Sequence, residues 1–235
     1  MAEMVSVLLT SFRRPKLLQG AIESVLAQTW RNTQLIVVDD NSGMDEVAVI
    51  LNRHAGSITP VVTDVREDER LNKCRYAVCI NLGLTVATGD FITYLTDDDV
   101  YYPTRLEKMV GWFRQHAAPQ HMVVYCAQSQ VNMDETGKVH LWGTHPTVGI
   151  TRRPHGHVDH CSFMHRRECL EKIPQPYWPE DAGHWGAGDA AFFDRLVQHW
   201  HFYPIHEILD EHRHHYNSIQ ARMRRNLSPV YEQEF

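Results

Sequence analysis

The stretch VSVLLTSFRRPKLLQGAIESVLAQTWRNTQLIVVDDNS, residues 5–42, decides the fold. It opens on Val5–Thr10, a β-branched apolar run of the kind that a sheet buries on both faces. Pro15 suits a first helical turn, and Leu18, Ile22, Val25 and Leu26 then recur on one helical face. Gln34–Asp40 reads as a second strand, and Asn41-Ser42-Gly43 as the turn before a helix over Glu46–His54. Beyond it, PVVTD predicts a third strand, CRYAVCINLGLTVA a helix and DFITYL (Asp90–Leu95) a fourth strand. Strand and helix in this alternation imply βαβ units and a largely parallel sheet. Ligands bind such sheets at the carboxyl ends of the strands. At those ends stand TSFRRP, DDNS and TDDD, so three polar clusters far apart in sequence are expected to meet on one edge.

The second half is less regular. A helix is expected over Thr104–His116, a strand over MVVYCAQSQV, and a turn-rich segment over 137–154. HVDHCSFMHRRECLEKI reads as a strand followed by a helix, PQPYWPEDAGHWGAG as a loop, and DAAFFDRLVQHW as an amphipathic helix. No linker interrupts the chain, which predicts one α/β domain, with residues 1–100 as a nucleotide-type half and 101–235 as an appended half, which the resemblance described below makes the acceptor side.

Bulk properties narrow the function. A net charge of −6 over 235 residues argues against a nucleic acid or an anionic membrane as partner. No apolar run approaches the roughly eighteen residues of a transmembrane segment. The amino terminus, MAEMVSVLLTSFRR, lacks the marks of a signal peptide. Cys74, Cys79, Cys126, Cys161 and Cys169 are odd in number and form no C-x-x-C pair, which suits reduced thiols and a cytoplasmic protein. TSFRRPK contains no glycine, which excludes a dinucleotide fingerprint and a P-loop after the first strand. In HEILDEH, His206 and His212 lie six residues apart; at about 600° around a helix they would not share a face, so a zinc-protease motif is rejected.

The most unusual feature is YLTDDDVYYP, residues 94–103. Three adjacent carboxylates either form a solvated turn that caps the helix near Thr104 or meet a cation. With the two clusters before it, this stretch resembles the family 2 glycosyltransferases with the GT-A fold, over essentially the whole chain. TRLEKMV, DHCSFMHRRECLEKI and GDAAFFDRL are most similar to the spore-coat polysaccharide glycosyltransferases of spore-forming bacteria. The resemblance implies inverting transfer of a sugar from a nucleoside diphosphate donor to a saccharide or other hydroxyl acceptor, assisted by Mn²⁺ or Mg²⁺. A divalent cation on oxygen ligands would neutralise the charge that gathers on the leaving diphosphate.

The resemblance also assigns roles. Its usual D-x-D aligns with Thr96 and Asp98, so Asp98 becomes the principal metal ligand and Asp99 a reserve, while Thr96 departs from the pattern. Asp97 is expected to face the ribose or a phosphate. One of Asp39 and Asp40 accepts a ring N–H of the base, with Asp40 the better match; such an acceptor suits uracil or thymine, hence UDP or dTDP. Thr10, Ser11 and Phe12 border the nucleotide, and Arg14 and Arg70 align with basic positions near it. Asp189 aligns with the catalytic base, although Gly188 stands where the family writes Glu; by itself Asp189 could equally be a helix N-cap. In EHRHHYNS, His215 and then His214 match an element near the metal and diphosphate. Asp159 aligns on the acceptor side. His184, Trp185 and Trp178 could stack a sugar or pack in the core. HGHVDHCSFMH (His155, His157, His160, His165) suggests ordinary strand and loop histidines ahead of a zinc site. The competing classes are a nucleotidyltransferase that makes nucleotide sugars, disfavoured by the glycine-free first loop, and a non-catalytic nucleotide-sugar module. A homo-oligomer is left open.

Overall fold

The computed structural model describes residues 3–134, 136–216 and 218–229. Strands β1 (Val5–Ser11), β2 (Thr33–Asp39), β3 (Thr59–Val62) and β4 (Phe91–Thr96) lie parallel in the order 3-2-1-4. Helices α1 (Pro15–Leu26), α2 (Asp45–Arg53) and α3 (Arg75–Val86) connect them. Every residue of β1 is buried, which is why its sequence is apolar apart from the small hydroxyl residues Ser6, Thr10 and Ser11. Register sets the site: Thr10 lies opposite both Val38 and Thr96, and Ser11 opposite Asp39. The chain then stays tied across the strand ends, where Asp40 N–H donates to Ser11 O (2.9 Å) and Asp97 N–H to Thr10 O (3.1 Å).

The remaining strands make the sheet mixed. They are β5 (Val100–Tyr101), β6 (Val123–Met133), β7 (Val139–His145), β8 (Phe163–Arg166) and β9 (Phe202–His214). β8 runs antiparallel between β4 and β6, β9 runs parallel to β6 and antiparallel to β5, and β7 pairs with the far part of β6. Helices α4 (Arg105–Gln115), α5 (Gly188–Leu196) and the short α6 (Ile219–Arg224) complete the chain. α1, α2 and α4 cover one face of the sheet, α3 and α5 the other. Close approach matters at Gly83 of α3, where a Cβ would come within 3.0 Å of Leu8 and 3.1 Å of Val38. Among the described residues no helix is long and apolar enough to cross a membrane.

Several expectations need correction. Residues 137–154 hold β7, whose side chains are largely exposed and so lack the buried alternation that signals a strand. HEILDEH, whose spacing excludes a zinc-protease motif, is the interior of β9, and its polar residues lie in a paired strand. The helix expected after β8 is a 3₁₀ segment, Arg167–Lys172, and α5 ends at Leu196, short of the predicted Trp200. Trp178 is wholly buried and stacks on Phe192 (4.7 Å), so it packs in the core.

Two buried polar groups fix the second half. The Arg105 guanidinium meets Asp210 (2.9 Å), Thr93 Oγ1 (3.1 Å) and Cys161 O (2.5 Å) and lies over the Tyr101 ring (3.8 Å), joining α4 to both halves of the sheet. Asp210 has its carboxyl pushed up to about 6 by burial, against the pull of Arg105. His165 lies in the core, with Nδ1–H donating to Arg166 O (2.8 Å) and Nε2 accepting from Tyr94 O–H (2.8 Å).

Burial pulls the His165 imidazole down to about 4. The unfolded chain takes up this proton below about pH 6.5 and the folded chain only near pH 4, so stability falls as pH falls through that window. The expected loss is about 3 kcal/mol. Urea unfolding of wild type and His165→Gln across this range should show the pH dependence flattened in the variant; parallel curves would contradict it.

Candidate active site

The three aspartates extend from the end of β4, and Arg14 serves two of them while His212 and Arg213 hold the third. Asp97 accepts from Ser11 Oγ (2.9 Å) and Phe12 N–H (3.2 Å) and pairs with Arg14 Nη2 (2.9 Å). Asp98 pairs with Arg14 Nη1 (2.7 Å) and His215 Nε2 (2.8 Å). Asp99 accepts from Arg213 N–H (2.8 Å) and Thr96 Oγ1 (3.1 Å) and pairs with His212 Nδ1 (3.1 Å). Burial pushes the Asp97 carboxyl up to about 7 despite Arg14. For Asp98 burial also opposes ionisation, but Arg14 and His215 override it and hold the carboxyl well below the usual carboxylate range. Thr96 therefore serves Asp99 as a hydroxyl donor, and Asp99 is a buried anchor between β4 and β9.

At the end of β2 the two aspartates divide their work. Asp39 turns back to accept from Ser42 N–H (2.9 Å) and Ser42 Oγ, closing a turn in which Asn41 takes a left-handed φ of 52°. Asp40 faces the cleft, gripped by Arg70 Nη1 (2.7 Å), Arg75 Nη2 (2.6 Å) and Thr63 Oγ1 (2.8 Å). Arg70 also lies 4.1 Å over the Phe12 ring.

The opposite wall carries Asp189, in the first turn of α5. The N-cap position belongs to Ala187, and no side chain caps the helix. Asp189 Oδ1 accepts only from the adjacent Ala190 N–H (2.8 Å) among the hydrogen bonds described. Its carboxyl is raised by burial, with His160 countering and Asp159 adding to the shift. Gly188 has a physical reason: a Cβ there would lie 2.5 Å from the Tyr76 hydroxyl. That hydroxyl accepts from Gly188 N–H (2.8 Å) and donates to His184 O (3.0 Å), pinning the start of α5. Tyr76 thus fills the space that a Glu would need.

One cleft, about 1160 Å³ including its open mouth, joins these groups. Thr10, Ser11, Phe12, Arg14, Asp40 and Arg70 line it from the first half of the chain, together with Asp98 and Asp99. Asp159, Trp185, Asp189 and His214 line it from the second. Asp97 and His215 sit directly behind, through their contacts with Arg14 and Asp98. His184 is not brought in: its ring pairs with Asp181 (2.7 Å). Of the histidines in HGHVDHCSFMH, His160 lines the cleft, His155 pairs with Asp194 at the surface (2.8 Å) and His165 is core.

Sequence reasoning missed Arg75, Tyr76, His160 and His212. His212 follows Glu211 on β9, and the sequence reading, which only tested HEILDEH for a zinc-protease motif, assigned it no strand. Burial opposes its charge, but Asp99 and Asp159 raise the imidazole up to about 10, so it is cationic at neutral pH. Asp99, Asp159 and His212 bring donor atoms within 4.8 Å of one another, as do Asp159, His160 and Cys161.

Residues 6–173 match the family described as Glycosyl transferase family 2. Protein CgeD of Bacillus subtilis (strain 168) is 41% identical over 214 residues, covering 89% of this chain and 50% of CgeD. The Putative glycosyltransferase EpsE of the same organism is 34% identical over 112 residues, 48% of this chain and 39% of EpsE. The chain therefore spans half or less of these relatives' length. Among solved structures, S. aureus TarS 1-349 in complex with UDP-GlcNAc aligns at a TM-score of 0.69 and 16% identity, over 90% of this chain and 58% of that one. A mannosyltransferase of Pyrobaculum calidifontis, PcManGT, in complex with GDP-Man and Mn²⁺, aligns at 0.58 and 15%, over 88% and 56%. These likenesses show the GT-A fold.

The Tyr76–Gly188 fit is testable without any assay of activity. Gly188→Ala should destabilise the protein by about 1–3 kcal/mol, and Tyr76→Phe should reduce the cost of the added methyl. A double-mutant cycle in urea that returns strict additivity would contradict this contact.

Proposed function

The chain belongs to glycosyl transferase family 2, and we propose that it moves a sugar from a UDP or dTDP donor to a hydroxyl acceptor, inverting the anomeric carbon. The observation that carries this reading is the single cleft lined by Asp40, Asp98 and Asp189. A carboxylate flanked by two arginines offers donor, acceptor, donor. That pattern complements the O2, N3–H, O4 edge of uracil or thymine, and cytosine has no N3–H to give. Asp40 between Arg70 and Arg75 supplies this pattern, with Asp40 as the reader of N3–H. Thr10, Ser11 and Phe12 border the nucleoside, Asp97 fixes Arg14, and Arg14 and Arg213 offer charge to the phosphates.

Asp98 and His215 would hold a divalent cation: a carboxylate oxygen and an imidazole nitrogen lie 2.8 Å apart. Arg14 Nη1, 2.7 Å from Asp98 and 3.2 Å from His215 Nε2, would have to give up its place beside them. An imidazole donor favours Mn²⁺ over Mg²⁺, which prefers an all-oxygen shell. Such an ion, when bound, supplies charge neutralisation for the departing diphosphate. Asp99 is committed to His212 and Arg213 and holds the turn.

Asp189 is the general base. It takes the proton of the acceptor hydroxyl as that oxygen attacks the anomeric carbon from the side opposite the diphosphate. The new glycosidic bond forms as the bond to the diphosphate breaks with its electron pair, which inverts the centre. The raised carboxyl makes Asp189 a stronger base than an ordinary aspartate. Asp159 lies on the acceptor side and, through its field, supports that basicity.

Asp189→Asn should lower turnover of a UDP-sugar by about 10²–10⁴-fold while UDP binding persists. In the wild type the rate should rise with pH through a pKa above the ordinary carboxylate range, and that inflection should vanish in the variant. An Asn variant of near-normal rate would end the assignment of Asp189 as base.

A further inference from the structure

We infer that Trp142 on β7 is the platform for the saccharide acceptor, at the outer end of a polar track that leads to Asp189. This inference rests on the glycosyltransferase reading above. Trp142 is 65% exposed although it lies within a paired strand. It is the extra residue of a β-bulge: Gln130 pairs with Gly143 and Val131 with Leu141, so no residue of β6 faces it. Bulges re-aim one side chain and concentrate beside active sites.

Here the bulge carries the indole to the rim of the cleft, where its ring meets His214 at 4.9 Å and 86°. His214 in turn touches Gln130 Oε1 (2.5 Å) and the His212 ring (4.6 Å). His212 and His214 line the same cleft as Asp189. The track Asp189, His212, His214, Gln130, Trp142 therefore passes from a carboxylate through imidazoles and an amide to a large apolar face. Sugars present that combination, hydroxyls at their edges and C–H groups on their faces. A few placed polar groups with an aromatic wall is the usual composition of a small-ligand site. The bulge and the basic Lys138 and His140 on the same hairpin disfavour the alternative occupant, a strand added to this edge.

The test uses the whole chain with UDP and Mn²⁺, titrated with the methyl glycosides of glucose, galactose, N-acetylglucosamine and rhamnose. Binding is read by saturation-transfer NMR and by indole fluorescence. At least one glycoside should bind the wild type saturably. Trp142→Ala should weaken it about tenfold or more, and Trp142→Phe should recover most of the loss. The exposed position lets both variants keep the wild-type melting temperature. Equal glycoside affinity in wild type and Trp142→Ala, or no glycoside binding while UDP binds normally, overturns the platform alone. Failure of the wild type to bind UDP at all overturns the glycosyltransferase reading instead.

Discussion

Three carboxylates in a row cannot share a buried turn unless positive charge is brought to them, and the architecture of this protein answers that demand. Asp97, Asp98 and Asp99 sit where β4 leaves the sheet, and their partners come from the start of α1 and from the end of β9, about a hundred residues to either side. Like charges about 4 Å apart repel by several kcal/mol in a partly desolvated setting, so removing one partner leaves a cost that nothing local can absorb. Arg14 serves two of the three acids at once, and the carboxy-terminal strand can reach them only because β9 runs its full thirteen residues alongside β6. The acidic turn thus closes the domain as well as lining its cleft.

This arrangement has a functional corollary. The cluster is paired with Arg14 and His212, and both of these side chains line the same cleft. On the glycosyltransferase reading proposed above, a donor diphosphate would meet charge that need not be assembled during reaction, which is the kind of preorganisation that lowers a barrier rather than only tightening binding. The uneven protonation of Asp97 and Asp98 follows from the same geometry, since burial acts on both while His215 reaches only Asp98.

Much of this was legible in the sequence. The strands at Val5–Thr10 and Asp90–Leu95 announced themselves because buried parallel strands are largely apolar, and the polar TSFRRP and TDDD marked the strand ends. The preference for Asp40 over Asp39 came from the family resemblance; that Asp39 is taken up by Ser42 is visible only in the structure. What escaped notice lay where one residue answers to a distant one. β7 is exposed on most positions and shows no period, and β9 spends its alternation on polar pairs. Gly188 looked like a lost glutamate until Tyr76, over a hundred residues away, filled its space. Arg75 and His212 acquire meaning only beside Asp40 and Asp99.

The account stands or falls on the acidic turn as the seat of a cation that helps hold a uridine diphosphate. Its most direct measurement is calorimetric titration of UDP, with CDP as control, into wild type and Asp98→Ala, each with and without Mn²⁺. The account predicts that Mn²⁺ strengthens UDP binding to the wild type, that CDP binds weakly, and that Asp98→Ala loses the metal's contribution. UDP binding that ignores both Mn²⁺ and Asp98 would contradict it.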